Sequence, residues 1–350
     1  MTPRDRAGKF LVIGENIHTT RTILRRGKLV TRAPSGEEAV GYTSAAGETR
    51  YLIIPEDIQA RQDYQEGRVK HVLIAVRAAL SGIEPAASAG LDYIGALVSR
   101  QVERRADYLD INVDEVSLRS SEQIDAMRRL TPIVEAISPV PLSIDSSSTA
   151  IIQAGLEACT GKAGRPLVNS ASLDRGEALE LAAARDLPVI VTAAGESGMP
   201  SNDTERVANA SRMADAALAK GIPPGRIFID ALVFPISVDV QFGVHCLEAM
   251  RRLRERYGPE VHVTGGLSNV SFGLPARKLV NQTFIQLAAA HGADSGILDP
   301  VANDVAGALA SDRTGRGYQL AEDMLLGRDP NCRSFLRAYR RGELSGADSG

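Results

Sequence analysis

Residues 188–232 read PVIVTAAGESGMPSNDTERVANASRMADAALAKGIPPGRIFIDAL, and this stretch decides the fold. Two short apolar runs, 188–194 and 226–232, end in polar residues and enclose a helical pattern over 203–220, with Val207, Ala210, Met213 and Ala217 at helical spacing. Both runs are nearly continuous in hydrophobicity rather than alternating, as a parallel strand covered on both faces requires. The stretch is one strand–helix–strand unit.

The unit recurs on either side. Comparable runs lie at 10–17 (FLVIGENI), 108–113 (YLDINV), 141–146 (PLSIDS), 166–172 (PLVNSAS), 262–269 (HVTGGLSN) and 295–300 (SGILDP). A second helical pattern, 121–138, carries Ile124, Met127, Leu130, Ile133 and Ile137. Eight strands, with starts after the second roughly 22 to 38 residues apart, predict a (β/α)8 TIM barrel. The competing doubly wound sheet loses because no Gly-x-Gly-x-x-Gly follows the first strand.

The first connection, 18–107, is far longer than a βα unit needs. Inside it, KLVTR (28–32) and RYLII (50–54) flank a polar, Gly-containing stretch and read as a hairpin-like excursion, before helical patterning returns over 67–105. We read residues 1–350 as a single barrel domain. An insertion over 19–68 sits at the barrel mouth, and a helical segment over 301–350 ends in GADSG, which is expected to fray.

Composition narrows the function. With 40 Lys+Arg against 43 Asp+Glu the net charge is −3, so no charge bias points to nucleic acid. At 44% hydrophobic and 24% charged the chain is an ordinary globular protein, not a disordered one. Cys159, Cys246 and Cys332 form no Cys-x-x-Cys, which argues against a zinc knuckle or a disulfide framework and for a reduced, cytoplasmic protein. The run Phe10–Ile13 is too short for a signal peptide, and nothing approaches the roughly 20 apolar residues of a membrane span.

The informative residues are polar ones at strand ends: Asp110, Asn112, Asp145, Asn169, Asp230, Ser268 and Asn269. In a barrel such side chains converge on one bowl. Any one of them alone reads equally well as a helix N-cap; so many at corresponding ends do not. No Lys stands at a strand end to form a Schiff base, and no His, Asp or Glu spacing suits a metal. His18 follows the first strand and reads as a satisfied loop histidine. Carboxylates and amides without a nucleophile suit a flat heterocycle bearing N–H donors, such as an aminopyrimidinone.

The stretch GGLSNVSFGLPARKLVNQTFI (265–285), with IGENI (13–17), LDINVD (109–114), SIDSS (144–148), VNSAS (168–172) and FIDALVFP (228–235), resembles the pterin-binding methyltetrahydrofolate:corrinoid protein methyltransferases of the dihydropteroate synthase-like barrel superfamily. The resemblance implies that Asp145, Asn169 and Asp230 hold the pterin edge. It also implies that Asn269 stands beside N5, that Gly266 and Ser268 shape the turn, and that Ile297 lines the pocket. The chain departs from the pattern at Gly14-Glu15-Asn16, where many relatives read Gly-Glu-Arg, and at Phe272, where some carry Gln.

The implied activity is methyl transfer between N5 of tetrahydrofolate or 5-methyltetrahydrofolate and the cobalt of a corrinoid, in either direction. The chain has no Asp-x-His-x-x-Gly, so the cobalamin is expected on a partner corrinoid protein, and through it a substrate-specific methyltransferase. A homodimer is also expected. Arg21, Arg25, Arg26, Lys28 and Arg32 either steer an acidic partner or form a solvated face. Two alternatives remain. A dihydropteroate synthase would need a Lys-Arg pair after the seventh strand to stabilise pyrophosphate; a non-catalytic folate-binding module would need no Asn269.

Overall fold

Residues 9–344 are described by the computed structural model. Each of the eight apolar runs is a strand: β1 (Leu11–His18), β2 (Tyr108–Asn112), β3 (Leu142–Asp145), β4 (Leu167–Ala171), β5 (Val189–Thr192), β6 (Ile227–Asp230), β7 (His262–Thr264) and β8 (Ser295–Leu298). They form one sheet in the order β7-β6-β5-β4-β3-β2-β1-β8. β8 returns to β7 through a parallel Gly266–Ile297 bridge, with the Ile297 N–H donating to Gly265 O at 2.9 Å. Strand order that follows chain order around a closing sheet, with helices between, is the (β/α)8 TIM-barrel class.

Two of the strand ends differ from the sequence reading in a way that bears on the candidate residues. β1 continues through His18, which brings that residue onto the strand. β7 stops at Thr264, because Gly265 and Gly266 lead into a 3-10 turn, Leu267–Ser271. Ser268 and Asn269 therefore stand on a turn after the strand.

The chain forms two compact units, Glu15–Leu167 and the rest of the described residues. In the unit Glu15–Leu167 the expected hairpin is corrected. Val30–Arg32 and Thr49–Ile53 do not pair with each other; both pair antiparallel with a central strand, Glu38–Thr43, with Val30 opposite Val40 and Val40 opposite Leu52. That strand was hidden because Glu38 and Gly41 interrupt its apolar residues. Ile23–Leu24 pairs with Arg68–Val69 at the base of the insertion.

The basic residues at its start do not act as a group. Arg25 grips Glu38 with two nitrogens, at 3.1 and 3.2 Å, and stacks 4.2 Å from the Tyr64 ring centre, so it is a structural ion pair. The same guanidinium holds the Glu38 carboxyl below its ordinary pKa. Arg21 lies 3.5 Å from Glu15, and Arg32 donates to Gly36 O at 2.7 Å. Arg26 and Lys28 are exposed.

The helix Ser120–Ile137 buries Met127, Leu130 and Val134, while Ile137 is 48% exposed. The buried face also holds Glu135, whose carboxylate accepts from Thr160, Gly161 and Lys162 N–H at 2.9, 2.7 and 3.2 Å. That carboxylate closes the turn after the helix Thr149–Ala158, and it rotates the helix away from the purely apolar stripe.

In the second unit the helix Asp203–Ala219 buries Ala210, Met213 and Ala217 as expected, but also Arg206. Helices Val305–Ala310, Arg316–Leu325 and Arg333–Arg340 follow β8. The expected fraying of residues 346–350 lies outside the described residues. Among the described residues no helix is long and apolar enough to cross a membrane.

Gly155 sets how closely the helix Thr149–Ala158 lies on β3. A β-carbon there would stand 2.6 Å from Ile144 Cγ2 and 3.0 Å from Met127 Cγ. Gly155→Ala is expected to destabilise the protein by about 1–3 kcal/mol through overpacking, and to disturb Asp145, which follows Ile144. Urea unfolding checks it; native stability would show that the helix can withdraw freely.

Candidate functional site

The candidates of the unit Glu15–Leu167 sit on adjacent strands. Parallel register places Asn112 of β2 opposite Asp145 of β3. Register partners in a parallel pair project to the same side, and the Asn112 Nδ2 donates to Asp145 Oδ2 at 2.8 Å. The amide cannot turn over, because its Oδ1 accepts from the Asp114 N–H at 2.9 Å. Asp114 is in turn held by Ser146 Oγ at 2.5 Å and by Ser147 N and Oγ at 2.9 and 2.8 Å.

His18, at the end of β1, reaches the same carboxylate oxygen, with Nε2 3.2 Å from Asp145 Oδ2. Asp145 Oδ1 accepts no hydrogen bond from the described residues. Asp145 is thus a carboxylate oriented by two donors on one oxygen and open at the other. It caps no helix: the following helix starts after Ser148, without a side-chain cap.

The second unit carries the remaining candidates. Asn169, on β4, is buried opposite Ile190 of β5, beside a register shift. Asp230 ends β6 opposite Thr192 and Thr264. Its Oδ1 accepts from the Leu232 N–H at 2.7 Å, and Gly265 lies so close that a β-carbon there would be 3.5 Å from the same oxygen. Behind this turn Arg206 donates to Leu232 O at 3.3 Å and lies 4.6 Å from the Phe234 ring centre. Sequence reasoning missed Arg206 because a charged residue on an apolar helix face is ordinarily solvated.

In the Leu267–Ser271 turn the Asn269 N–H donates to Gly266 O at 3.0 Å, and the Asn269 amide folds back over Gly266. A β-carbon on Gly266 would come within 2.8 Å of Asn269 Nδ2. Asn269 is exposed, whereas Ser268 Oγ is buried without a hydrogen-bond partner. Ile297 is half-buried across the Gly266 bridge.

A surface cleft of about 210 Å3, lined among others by Arg77, Glu122, Asp125 and Arg129, contains none of these residues. Among the described residues no three His, Cys, Asp or Glu side chains gather as a metal site.

A model of the pterin binding enzymes matches residues 87–299. The chain belongs to the pterin binding enzyme family. It is 32% identical over 255 residues to the methylcorrinoid:tetrahydrofolate methyltransferase of Eubacterium limosum, covering 70% of this chain and 86% of that protein. It is 31% identical over 213 residues to the methionine synthase of Mycobacterium tuberculosis, covering 57% of this chain but only 17% of the synthase. Among solved structures it is similar to the Xanthomonas albilineans dihydropteroate synthase in complex with 7,8-dihydropteroate, with a TM-score of 0.50 at 24% identity, over 66% of this chain and 87% of that one. At that identity the likeness is one of fold.

Asp230 in this pterin binding enzyme is almost fully buried, and burial pushes its carboxyl up to about 6, against the pull of the Leu232 N–H and of Arg206. A native pKa above the ordinary 3.8 means that the folded state holds the proton more tightly than the unfolded one. Its contribution to stability is therefore intact below about pH 4, and is lost as pH rises through about 6. Asp230→Asn keeps the oxygen that accepts from Leu232. The variant is expected to be more stable than the native protein at pH 7.5, by on the order of 1–3 kcal/mol, and no more stable at pH 4. Urea unfolding at the two pH values decides; an equal difference at both would mean that Asp230 is not desolvated.

Proposed function

We propose that this pterin binding enzyme is a cytoplasmic methyltransferase that moves a methyl group between N5 of tetrahydrofolate and the cobalt of a corrinoid borne by a separate protein. The observation that carries the reading is the 32% identity to a methylcorrinoid:tetrahydrofolate methyltransferase over 86% of that protein. The strand-end side chains fit it. A reduced pterin is flat and offers N–H donors along one edge, and the side chains proposed to read it carry acceptor oxygens: the carboxylates of Asp145 and Asp230 and the amide oxygen of Asn169.

In the folate-forming direction the N5 lone pair forms a bond to the methyl carbon. The carbon–cobalt bond breaks with its electron pair remaining on the metal, and N5 gives up its proton. In reverse, N5 must gain a proton or a hydrogen bond as its carbon bond breaks, because an uncompensated nitrogen anion is a poor leaving group. We assign that contact to Asn269. Its amide is neutral and exposed, and it meets either protonation state, with oxygen accepting from N5–H or nitrogen donating to the N5 lone pair. Gly266 makes room for that amide, and Ser268 and Ile297 flank it.

The synthase reading is disfavoured at the step it needs. The first basic residues after β7 are Arg277 and Lys278, and the Arg277 guanidinium is turned onto Ser268 O and Ser271 Oγ, each at 3.0 Å.

Asn269→Ala is expected to slow methyl transfer by about 100- to 1000-fold with little change in tetrahydrofolate affinity. Gly266→Ala, which pushes the same amide aside, should show the same pattern more weakly. Single-turnover transfer and calorimetric binding separate the two effects; native transfer by Asn269→Ala would remove it from the reaction.

We place the insertion 19–68 at the barrel mouth as the docking surface for the corrinoid protein. Support comes from its excess length and from the exposed cations Arg26 and Lys28 beside the exposed Leu24 and Leu29. Arg26→Ala with Lys28→Ala is expected to raise the KM for the protein-borne corrinoid, most strongly at low salt, and to leave transfer with free cobalamin intact. An unchanged KM would make the pair a solvated face.

A further inference from the structure

The proposed reaction leaves one side chain at the Asp145 carboxylate without a task. His18 Nε2 stands 3.2 Å from Asp145 Oδ2, and the two side chains are 23% and 21% exposed, so they form an accessible pair rather than a core contact. The other ring nitrogen is also occupied. Nδ1 lies 2.7 Å from Thr20 Oγ1 and 3.3 Å from the Thr20 N–H. When the imidazole is neutral, both Thr20 groups can donate to Nδ1, which leaves the proton on Nε2, facing Asp145. When the ring is protonated, Nε2–H still faces Asp145 and Nδ1–H turns onto the Thr20 hydroxyl. The hydrogen bond to the carboxylate survives in both states; only the charge beside it changes.

We propose that His18 is a positioning residue for the pterin: with Asn112 it occupies Asp145 Oδ2, presents Oδ1 as the acceptor, and tunes that acceptor's charge as it gains or loses a proton. This rests on the reading of Asp145 as a pterin contact. The groups facing the imidazole are Asp145 on β3, Asp110 on β2 and Glu15 on β1, with Arg21 bound to Glu15 at 3.5 Å. Burial of the ring opposes protonation. The hydrogen bond and charge of Asp145, with the charges of Asp110 and Glu15, outweigh it and raise the pKa above 6.5. The folded protein therefore favours the imidazolium more than water does. An imidazolium neutralises part of the Asp145 charge and weakens the bond that Oδ1 accepts from a pterin N–H; the neutral ring leaves it whole.

The probe is 6-methyltetrahydropterin, which lacks the glutamate carboxylates of folate and so feels His18 only through the pterin contact. Its affinity is measured by calorimetry between pH 7 and 9, above the titration of Asp230 at about 6, for the native protein, His18→Gln and His18→Leu. The native affinity is expected to rise severalfold with pH. His18→Gln, an uncharged donor at similar reach, should match the native protein at pH 9 with a flat profile. His18→Leu should be weaker by about tenfold throughout. A native-like pH step in His18→Gln, or native affinity of His18→Leu at pH 9, overturns the proposal. Should His18→Leu fail to fold, the His18→Gln profile decides alone. If the native protein does not bind the pterin at any pH, the pterin reading itself fails, which is a different result.

Discussion

A parallel strand covered on both faces has nowhere to put a polar side chain except beside a partner or at its end. β2, β4, β5 and β6 are buried along their whole length, and desolvating an unpaired amide or carboxylate there would cost several kcal/mol. The polar residues obey that constraint. Asn112 meets Asp145 by strand register, Asp230 is met by the N–H two residues on, and Asn169, midway along β4, lies beside a register shift. The same physics restricts the chemistry on offer. Groups that are tolerated at buried strand ends are acceptors already oriented by the protein, suited to reading N–H donors on a flat ring and unsuited to holding a loose metal ion or a free nucleophile.

Orientation is obtained at some expense of stability. Asp230 is buried deeply enough to resist ionisation, and Arg206 behind it keeps one nitrogen, Nη2, buried without a hydrogen-bond partner. Ser268 Oγ is likewise buried and unsatisfied beside Asn269. Unfavourable groups of this kind beside proposed ligand contacts are expected where activity rather than stability has shaped the residues.

The eight strands were legible because their physics is local: continuous apolar runs of four to eight residues, punctuated by polar ends, need no knowledge of the partner. The central strand of the insertion was not legible, because Glu38 and Gly41 break its pattern and Glu38 is retained there by Arg25 and Tyr64. Ile137 looked like core and is exposed, since the buried Glu135 turns the helix toward the loop it closes. In each case a polar contact made far along the chain overrode the hydrophobic period.

The candidate site divides in the same way. The sequence by itself determined the barrel class, the strand-end carboxylates and amides, and the family to which Gly-Leu-Ser-Asn-Val-Ser points. Those depend on residue type and spacing, which the chain displays directly. Only the tertiary structure decided that His18 and Asn112 share one oxygen of Asp145, that Asn269 rests over Gly266 on a turn rather than a strand, and that Arg25 is spent inside the insertion. Hydrogen bonds of about 3 Å between residues distant in sequence depend on strand register and side-chain rotation, and no periodicity along a single chain encodes either.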